Sequence, residues 1–454
     1  MFVRNLCVST QTKILPFGRI RRCNFQKAHF HSNLENNSPS KLAKLLDVSI
    51  FPTHVLGAGS IGILYASALH HAYYLKQNID TGDGNELFHP VTLLMRSHHE
   101  QYLKRFESGK DKNGNGRRIL FAPVRVLKKT STSIYDPSGN VNNVRKCEIP
   151  VELMYEPTNN SSGEGLQNYQ ESPINCILLC TKANDAIPAL TSVSDRLLRQ
   201  PSSASGGTFA NITHSPKIII LSNGALAIRD AINEQFHRPN IRNGFQINLA
   251  TTTHGAHKSN SSIHGVCTRY CITHAGEGET YSTNAEFIQA CQSVGWKGSI
   301  VSELDMNVIL WKKLAVNCVI NPLTAIHNVK NGKLLRMGSS LESVMKNVLE
   351  EVSAVAMQSV IAESISKLGE HDGSSDAWLQ STKQQLSVQA LQHFVTNVMS
   401  DTAANISSML QDVKSKRVTE VQFLNGYVSS LGQNKFGIEC PRNMELCHRV
   451  ENLF

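Results

Sequence analysis

Short apolar runs alternate with helical patterns through the first two thirds of the chain, and most of these runs end in Gly, Asn, Ser or Thr. Such runs are typical of buried parallel strands, and their alternation with helices predicts an α/β domain. The predicted strands lie at residues 54–56, 90–95, 122–127, 148–154, 175–180, 217–221, 245–254 and 263–274, with a short one ending at 301. From about residue 303 onward the pattern is helical, which predicts a second, all-helical domain.

The helices of the second domain are predicted at residues 304–321, 340–368, 379–399 and 419–431, with a loop at 368–376. In the first domain, the segments at about 107–172 and 201–216 contain Gly-, Asn- and Ser-rich stretches and are interpreted as flexible insertions. The predicted organisation is therefore a basic leader at 1–50, an α/β domain at 51–302 and a helical domain at 303–454.

The first strand leads through a glycine-rich turn into an apolar helix. The turn consists of Gly57, Ala58, Gly59, Ser60, Ile61 and Gly62. Its first glycine allows a tight turn, the second lets a pyrophosphate approach the backbone, and the third lets the helix pack on the strand. Because a strand precedes and a helix follows, the motif predicts a Rossmann-type domain that binds a dinucleotide at these residues.

The second strand ends in Arg96. In NAD-binding members of this fold an acid at this place binds the ribose 2′-hydroxyl, whereas an arginine suits a 2′-phosphate. The alternative is a surface arginine that happens to end a strand. The position favours NADP(H) as the cofactor.

Two later strands also end in polar residues, at Lys182 and Asn223. Ligands of open α/β sheets bind at the carboxyl ends of the strands, so both side chains are candidate contacts for cofactor or substrate. Asn223 has an equally good alternative interpretation as a turn residue paired with Gly224.

The helix that opens the second domain carries Lys313, Asn317 and Asn321 at steps of four in an otherwise apolar run. This spacing places the three on one stripe, and Asn is a poor residue for a helix interior. The stripe indicates either a lysine and two amides facing a cleft or an ordinary solvated face, and the stretch alone does not decide between them. Pro322 is expected to kink or end the helix.

The formal charge of +9 arises largely in the leader, whose first 33 residues contain no acid. Its basic residues are Arg4, Lys13, Arg19, Arg21, Arg22 and Lys27. This composition suits a mitochondrial presequence, with an untargeted disordered extension as the alternative and the cytoplasm as the alternative location. Since the charge belongs to the leader, no nucleic-acid surface is expected.

The rest of the composition is that of an ordinary globular protein, with 41% hydrophobic and 18% charged residues. No apolar run reaches eighteen residues, so no membrane span is expected. The eleven cysteines and eighteen histidines show no metal-binding spacing. We expect reduced cysteines in an intracellular protein and no metal site.

Several segments together resemble the ketopantoate reductase (2-dehydropantoate 2-reductase) family. They are the glycine turn, Cys-Thr-Lys-Ala from Cys180, Ser-Asn-Gly from Ser222, Thr-Thr-Thr-His from Thr251, Lys-Leu-Ala-Val-Asn-Cys-Val-Ile-Asn-Pro from Lys313, Ser-Ser-Met-Leu-Gln-Asp from Ser407, and Thr-Glu ending at Glu420. The resemblance runs, with gaps, from about residue 54 to 449. It implies a Rossmann NADP-binding domain followed by a helical domain, an arrangement like that of 6-phosphogluconate dehydrogenase.

The resemblance also implies roles for individual residues. Lys313 matches the family's catalytic lysine. Glu420 matches an acid that assists catalysis and substrate binding, and it can hold Lys313 in place. The implied substrate contacts are Asn317, Asn321, Asn405 and Ser408. The implied cofactor contacts are the glycine turn, Arg96, Lys182 and Asn223.

The implied reaction is NADPH-dependent reduction of 2-dehydropantoate to (R)-pantoate, with Lys313 as general acid and oxyanion stabiliser. The alternatives are a related NADPH-dependent reductase of another 2-oxo acid or an imine and, less favoured, a non-catalytic NADP-binding sensor. The expected partner is a small-molecule substrate, and the expected assembly is a monomer or a homodimer.

Overall fold

The computed structural model describes residues 53–80, 91–96, 104–110, 116–129, 144–154, 174–198, 215–236, 245–258, 271–275, 278–368 and 373–454. The leader and residues 201–214 lie outside these ranges, as do 111–115, 130–143 and 155–173.

The first domain is built on a large, mostly parallel sheet. Its strands are β1 (Thr53–Leu56), β2 (Val91–Arg96), β3 (Lys104–Lys110), β4 (Gly116–Lys129), β5 (Val144–Met154), β6 (Cys176–Leu179), β7 (Lys217–Ile220), β8 (Gln246–Thr252), β9 (Gly255–Lys258), β10 (Cys271–Ala275), β11 (Glu279–Ser282) and β12 (Lys297–Ile300). The order is β12-β11-β8-β7-β6-β1-β2-β5-β4-β10-β9, with β3 paired to β4. The centre, from β8 through β7, β6 and β1 to β2, is wholly parallel.

Helices surround this parallel centre. They are α1 (Ser60–Asp80), α2 (Ala183–Thr191), α3 (Ser194–Leu198), α4 (Ala225–Phe236) and α5 (Ala285–Ser293). Every residue of β1 and β6 is buried, which explains why these strands are apolar throughout rather than alternating. The predicted α/β sheet is confirmed.

The carboxyl ends of the central strands lie level with one another. Leu56 of β1 pairs with Leu94 of β2 and Leu179 of β6, and Leu179 pairs with Ile220 of β7. The residues that follow these strands are therefore neighbours at one edge of the sheet, where open α/β folds bind their ligands.

The prediction of irregular structure at 107–172 is wrong for a large part of that segment. The strands predicted at 122–127 and 148–154 are parts of the longer β4 and β5, which pair antiparallel from Leu120–Val151 to Leu127–Val144. Gly116, assigned to an insertion, begins β4. Hydrogen-bonded pairing with neighbouring strands made these residues extended, although the composition at the ends of the strands is rich in Gly and Lys.

The second domain is helical, as predicted. Its elements are α6 (Glu303–His327), a 3-10 turn (Asn331–Arg336), α7 (Ser339–Leu368), α8 (Gly373–Gln385), α9 (Val388–Asp401), α10 (Ser408–Lys414), a 3-10 turn (Val421–Phe423), α11 (Asn425–Leu431), a π-helical turn (Gly432–Phe436) and α12 (Pro441–Glu451). The segment predicted as one helix at 379–399 is two, because Ser387 caps a new helix by accepting from Ala390 N. The loop predicted at 368–376 is shorter, since α8 begins at Gly373.

Pro322 does not end α6, which continues to His327 and stops where Asn328 takes a left-handed conformation. A proline lacks the N–H that would donate to the carbonyl four residues earlier, here Cys318. The side chain of Asn425 on α11 supplies that donor, with Nδ2 at 2.9 Å from Cys318 O. A partner distant in sequence thus satisfies the carbonyl and lets the helix run on.

One apolar core joins the two domains. Leu179 and Ile220 of the sheet belong to the same cluster of buried side chains as Trp311 and Val319 of α6. The chain changes from sheet to helices at Ser302, which caps α6, yet packing continues across that point. Among the described residues, none of the helices combines the length and apolarity needed to span a membrane.

Candidate functional site

The glycine turn leaves no room for a side chain at two of its three glycines. Gly57 has φ +114°, and a Cβ there would lie 2.7 Å from the backbone of Cys180 and Thr181. A Cβ on Gly62 would lie 1.9 Å from Gly57 O, whereas nothing lies within 4 Å of one on Gly59. Close packing around two glycines and open space at the third fit a pyrophosphate that approaches the middle of the turn at the start of α1.

Arg96 ends β2 and is about half exposed. Its Nη2 is 2.8 Å from Asp185 Oδ1 in the first turn of α2. The guanidinium therefore lies at the carboxyl edge of the sheet, with one side bound to a carboxylate. This placement suits contact with a nucleotide ribose, and it sets an acid beside the arginine predicted to bind the 2′-phosphate.

Lys182 and Glu420 join the two domains. Lys182 Nζ lies 2.8 Å from Asp412 Oδ2 and 3.4 Å from Glu420 Oε2. Glu420 Oε1 accepts from Ala183 N at 2.8 Å, and its Oε2 accepts from Asn223 Nδ2 at 3.4 Å. Burial lowers the pKa of Lys182, but the two carboxylates more than offset this and hold the pKa above its ordinary value.

Glu420 is 4% exposed, and its hydrogen bonds go to the first domain rather than to Lys313. Among the described residues Glu420 forms no hydrogen bond with Lys313, but its negative charge favours the charged form of the lysine. That Glu420 holds Lys313 in place stays a prediction.

Lys313 is half-buried, and its Nζ donates to Thr251 Oγ1 at 2.8 Å. Burial lowers the pKa of Lys313 to about 8, an effect that the negative charge of Glu420 partly opposes. Lys313 and Lys182 are thus shifted in opposite directions. Ionisable groups whose environments separate their pKa values are frequent at catalytic sites.

Lys313 and Asn317 line a small, open pocket between the domains. The other wall residues are Ser222, Asn223, Gly224, Ala225, Leu226, Ala227, Leu310, Leu314, Phe423 and Tyr427. The pocket is mostly apolar, with a lysine and two amides converging on it. This is the usual composition of a small-molecule site. Of the two interpretations of the polar stripe on α6, the structure supports the cleft for these two residues.

The other predicted substrate contacts lie outside the pocket wall. Asn321 is buried one turn beyond Asn317, and Asn405 is exposed before α10. Ser408 is the first residue of α10, which is capped by the buried Ser407. Their assigned roles stay predictions.

Sequence reasoning missed Thr251 and Asp412 as members of the site. Both lie in quoted motifs, but neither motif showed which partner the residue meets. Asp412 is 2% exposed and also pairs with Arg417, whose Nη2 lies 3.0 Å from Oδ1. The sequence carries no signal of this burial, because most residues around Asp412, including Gln411 and those from Lys414 to Arg417, are polar. In the part of the chain that the structure describes, no cluster of three or more His, Cys, Asp or Glu could hold a metal ion.

The first domain carries a glycine turn of the dinucleotide-binding kind, and a lysine of pKa about 8 on the second domain lines a small pocket where the two domains meet. That arrangement defines a class, the two-domain oxidoreductases that use a pyridine nucleotide. The family model "Ketopantoate reductase PanE/ApbA C terminal" matches residues 305–453.

Curated relatives extend the match into the first domain. The chain is 32% identical to the 2-dehydropantoate 2-reductase of Shigella flexneri over 279 residues, which cover 59% of this chain and 77% of that one. It is 35% identical to the enzyme of the same name from Vibrio cholerae over 248 residues, covering 52% and 68%. The chain belongs to the ketopantoate reductase family.

Solved structures agree in fold. A PanE/ApbA family ketopantoate reductase from Ralstonia eutropha JMP134 aligns with TM-score 0.52 and 17% identity, covering 88% of this chain and 97% of that one. A D-mandelate dehydrogenase in a ternary complex with NADH and anilino(oxo)acetate aligns with TM-score 0.51 and 18% identity over the same shares. These likenesses concern the architecture.

Proposed function

We propose that the protein reduces 2-dehydropantoate to (R)-pantoate with NADPH. The observation that carries the proposal is Lys313, a half-buried lysine of pKa about 8 in an interdomain pocket beside Asn223. Family membership supports the choice of substrate, since the curated relatives carry the name 2-dehydropantoate 2-reductase.

The first domain is proposed to hold NADPH, which supplies a hydride when bound. The glycine turn and the start of α1 would bind the pyrophosphate, and Arg96 would bind the 2′-phosphate. Lys182 and Asn223 lie at the same carboxyl edge and are assigned to the cofactor. Asn223 also lines the pocket, so its amide stands where cofactor and substrate would meet.

Lys313 is assigned as general acid and oxyanion stabiliser. Reduction of a ketone builds negative charge on the carbonyl oxygen, and a positioned cation lowers that barrier. An acid is most effective when its pKa lies near the working pH. Burial brings Lys313 into that range, whereas an exposed lysine at about 10.4 would hold its proton too firmly.

Orientation of the substrate is assigned to the polar side chains of the second domain. Asn317 shares the pocket with Lys313 and can donate to or accept from a bound hydroxy acid. Asn321, Asn405 and Ser408 are proposed as further contacts on the strength of their motifs. The apolar wall, including Leu310 and Phe423, suits the carbon skeleton of a branched acid.

The decisive experiment follows NADPH oxidation by the purified protein after addition of 2-dehydropantoate. A panel of other 2-oxo acids and a cyclic imine separates this function from a related reductase, and NADH in place of NADPH checks the cofactor. We expect the highest kcat/KM with 2-dehydropantoate and NADPH. Preference for another panel member would reassign the substrate, and NADPH binding with no oxidation by any substrate would indicate a sensor.

We also propose import into mitochondria, on the composition of the leader. Fusing residues 1–50 to a fluorescent protein tests this, with a variant in which the leader arginines become glutamines as control. Diffuse cytoplasmic fluorescence from the unmodified fusion would contradict the proposal.

A further inference from the structure

The hydroxyl of Thr251 is the partner that the pocket lysine uses. Lys313 Nζ donates to Thr251 Oγ1 at 2.8 Å, and Thr251 is 4% exposed. Among the described residues, this is the hydrogen bond that the Lys313 side chain forms, and Lys313 forms no ion pair with them. The sequence shows Thr251 only as the first residue of the Thr-Thr-Thr-His motif and indicates no role for it.

The strand fixes where this hydroxyl stands. Thr251 is the penultimate residue of β8, and its backbone is paired with Tyr281 of β11. The last pair between β7 and β8 joins Ile220 to Leu249, so Thr251 lies two positions beyond it. That is the edge where Asn223 follows β7. The acceptor therefore belongs to the rigid sheet of the first domain, whereas the donor belongs to α6 of the second.

A neutral acceptor has a different effect on a lysine from that of a carboxylate. Lys182, which is held by Glu420 and Asp412, has its pKa raised, whereas the pKa of Lys313 is lowered. A direct carboxylate partner would favour the charged form of Lys313 and retain its proton. The hydroxyl aligns the ammonium while leaving the proton available.

An ammonium has three N–H bonds. Thr251 takes one of them, which leaves two for other acceptors. With Nζ fixed from one side, those two bonds are restricted to directions around the pocket that Lys313 lines. Orientation of this kind accounts for large rate effects, because a misplacement of about 1 Å can cost a factor on the order of one hundred.

We propose that Thr251 is a positioning residue, which holds the Lys313 ammonium by a neutral hydrogen bond and directs its remaining N–H bonds to the carbonyl oxygen of the substrate. The inference rests on the proposed function, in which Lys313 donates a proton. It deepens that function by assigning the alignment of the acid to a threonine of the sheet rather than to Glu420.

Few other groups act on the charge of Lys313. Glu420 lies near enough to raise its pKa. Tyr427, the further titratable group of the pocket wall, donates to Asp230 at 2.7 Å. Neither group is altered when the hydroxyl of Thr251 is removed, so a change in titration after that substitution is assigned to the lost hydrogen bond.

The test compares Thr251→Val, Thr251→Ala and Thr251→Ser in the full-length protein. Valine keeps the shape of the threonine side chain and removes the hydroxyl acceptor. Alanine removes the hydroxyl and leaves its space empty, and serine keeps a hydroxyl acceptor. We expect Val and Ala to lower kcat by about ten- to one-hundredfold with little change in the KM for NADPH. Losing a hydrogen bond to the charged form lowers the pKa, so the fall of kcat at high pH should move to lower pH. Thr251→Ser should keep both the kcat and the pH profile of the wild type.

Thr252→Val is the matched control. Thr252 is the next residue of β8, and its hydroxyl accepts from His254 N and donates to Glu279 O rather than contacting Lys313. We expect this variant to lose stability without moving the pH profile. A Thr251→Val protein that keeps the wild-type kcat and pH profile would overturn the inference, as would a Thr251→Ser protein as impaired as the Val variant.

NMR titration of the Lys313 amine in wild type and Thr251→Val separates this inference from the function itself. If the wild type reduces no 2-dehydropantoate, the proposed function fails, whereas the amine titration still tests the hydrogen bond. An amine pKa unchanged in Thr251→Val would overturn the inference whatever the activity.

Discussion

At the scale of single residues, the groups placed around each lysine of the site explain its pKa, which the residue type alone does not. The charge of Glu420 acts on both lysines of the site. Lys182 forms ion pairs with Asp412 and Glu420, whereas Lys313 donates a hydrogen bond to the hydroxyl of Thr251. The first is held charged, and the second has a pKa of about 8. A sequence shows both only as lysines.

The titration of Lys313 predicts the alkaline limb of the pH profile. In the proposed mechanism the charged form of Lys313 donates the proton, so we expect activity below the pKa and its loss as the pH rises through about 8. We expect kcat/KM to fall tenfold for each pH unit well above that value. The measurement is kcat/KM against pH, because this profile reports the ionisable groups of the free enzyme. A profile flat to pH 10 would mean that another group donates the proton.

A second prediction concerns Arg96 and Asp185, whose side chains are 2.8 Å apart. Arg96→Ala should weaken NADPH binding roughly tenfold and NADH binding much less, since a charged hydrogen bond to the 2′-phosphate is lost. Asp185→Asn should tighten NADPH binding about two- to fivefold, because the exposed carboxylate no longer opposes the phosphate.

Dissociation constants from fluorescence titration of both nucleotides check this pair. Asp195→Asn, which alters an exposed acid on α3, serves as the control. Equal losses of NADPH and NADH in Arg96→Ala would remove the 2′-phosphate assignment. Weaker NADPH binding in Asp185→Asn would show that the acid supports the arginine rather than competing with the phosphate.

The number of positions between two contacting residues decides whether the sequence could predict their contact. The glycine turn and the stripe of Lys313 and Asn317 are local patterns, and the sequence displays them directly. The contact of Lys313 with Thr251 spans 62 positions, and that of Lys182 with Asp412 spans 230. Such pairs are decided by the packing of the two domains, which no local period encodes.

At the scale of elements, α6 illustrates how tertiary contacts override a local rule. A proline inside a helix usually breaks it, and the prediction at Pro322 followed that rule. The helix continues because Asn425 provides the missing donor to Cys318 O. The strands were easier to predict, because complete burial makes them apolar throughout. The break before Ser387 was missed because neither Gly nor Pro marks it.

The role of Asn425 gives a double-mutant prediction. Asn425→Ala leaves Cys318 O without a donor and removes a 3.0 Å bond to Asn443 Oδ1, so we expect a loss of about 1–3 kcal/mol. Pro322→Ala restores a backbone N–H to the same carbonyl. In that background the loss from Asn425→Ala should be smaller, with a coupling of at least about 0.5 kcal/mol.

Urea unfolding of the four proteins of this cycle measures the coupling. Additive losses would show that Asn425 stabilises the fold through Asn443 alone, and that α6 tolerates the unsatisfied carbonyl by other means.

At the scale of the whole molecule, the domain boundary in sequence is not a boundary in packing. One apolar cluster spans the sheet and α6, and among the described residues ion pairs between the domains add to it at two places. Lys182 pairs with Asp412 at one place, and at the other Arg229 of α4 lies 2.8 Å from Glu363 of α7. The pocket lined by Lys313 lies at this shared interface, so its geometry depends on both domains.

A shared core predicts cooperative unfolding. We expect one calorimetric transition for the full chain, and NADPH should move the whole of it to higher temperature because binding to the folded state stabilises it. Two separated transitions, with NADPH shifting only one of them, would show that the domains are energetically independent.

The central claim is that the ammonium of Lys313 drives the reduction, and single-turnover kinetics of Lys313→Ala with bound NADPH test it most directly. Lys312→Ala is the control, because the neighbouring ammonium lies over the Phe394 ring rather than in the pocket. We predict that Lys313→Ala binds NADPH as the wild type does, while reduction of 2-dehydropantoate slows by roughly a hundredfold to ten-thousandfold. A Lys313→Ala protein that oxidises NADPH at the rate of Lys312→Ala would contradict the account.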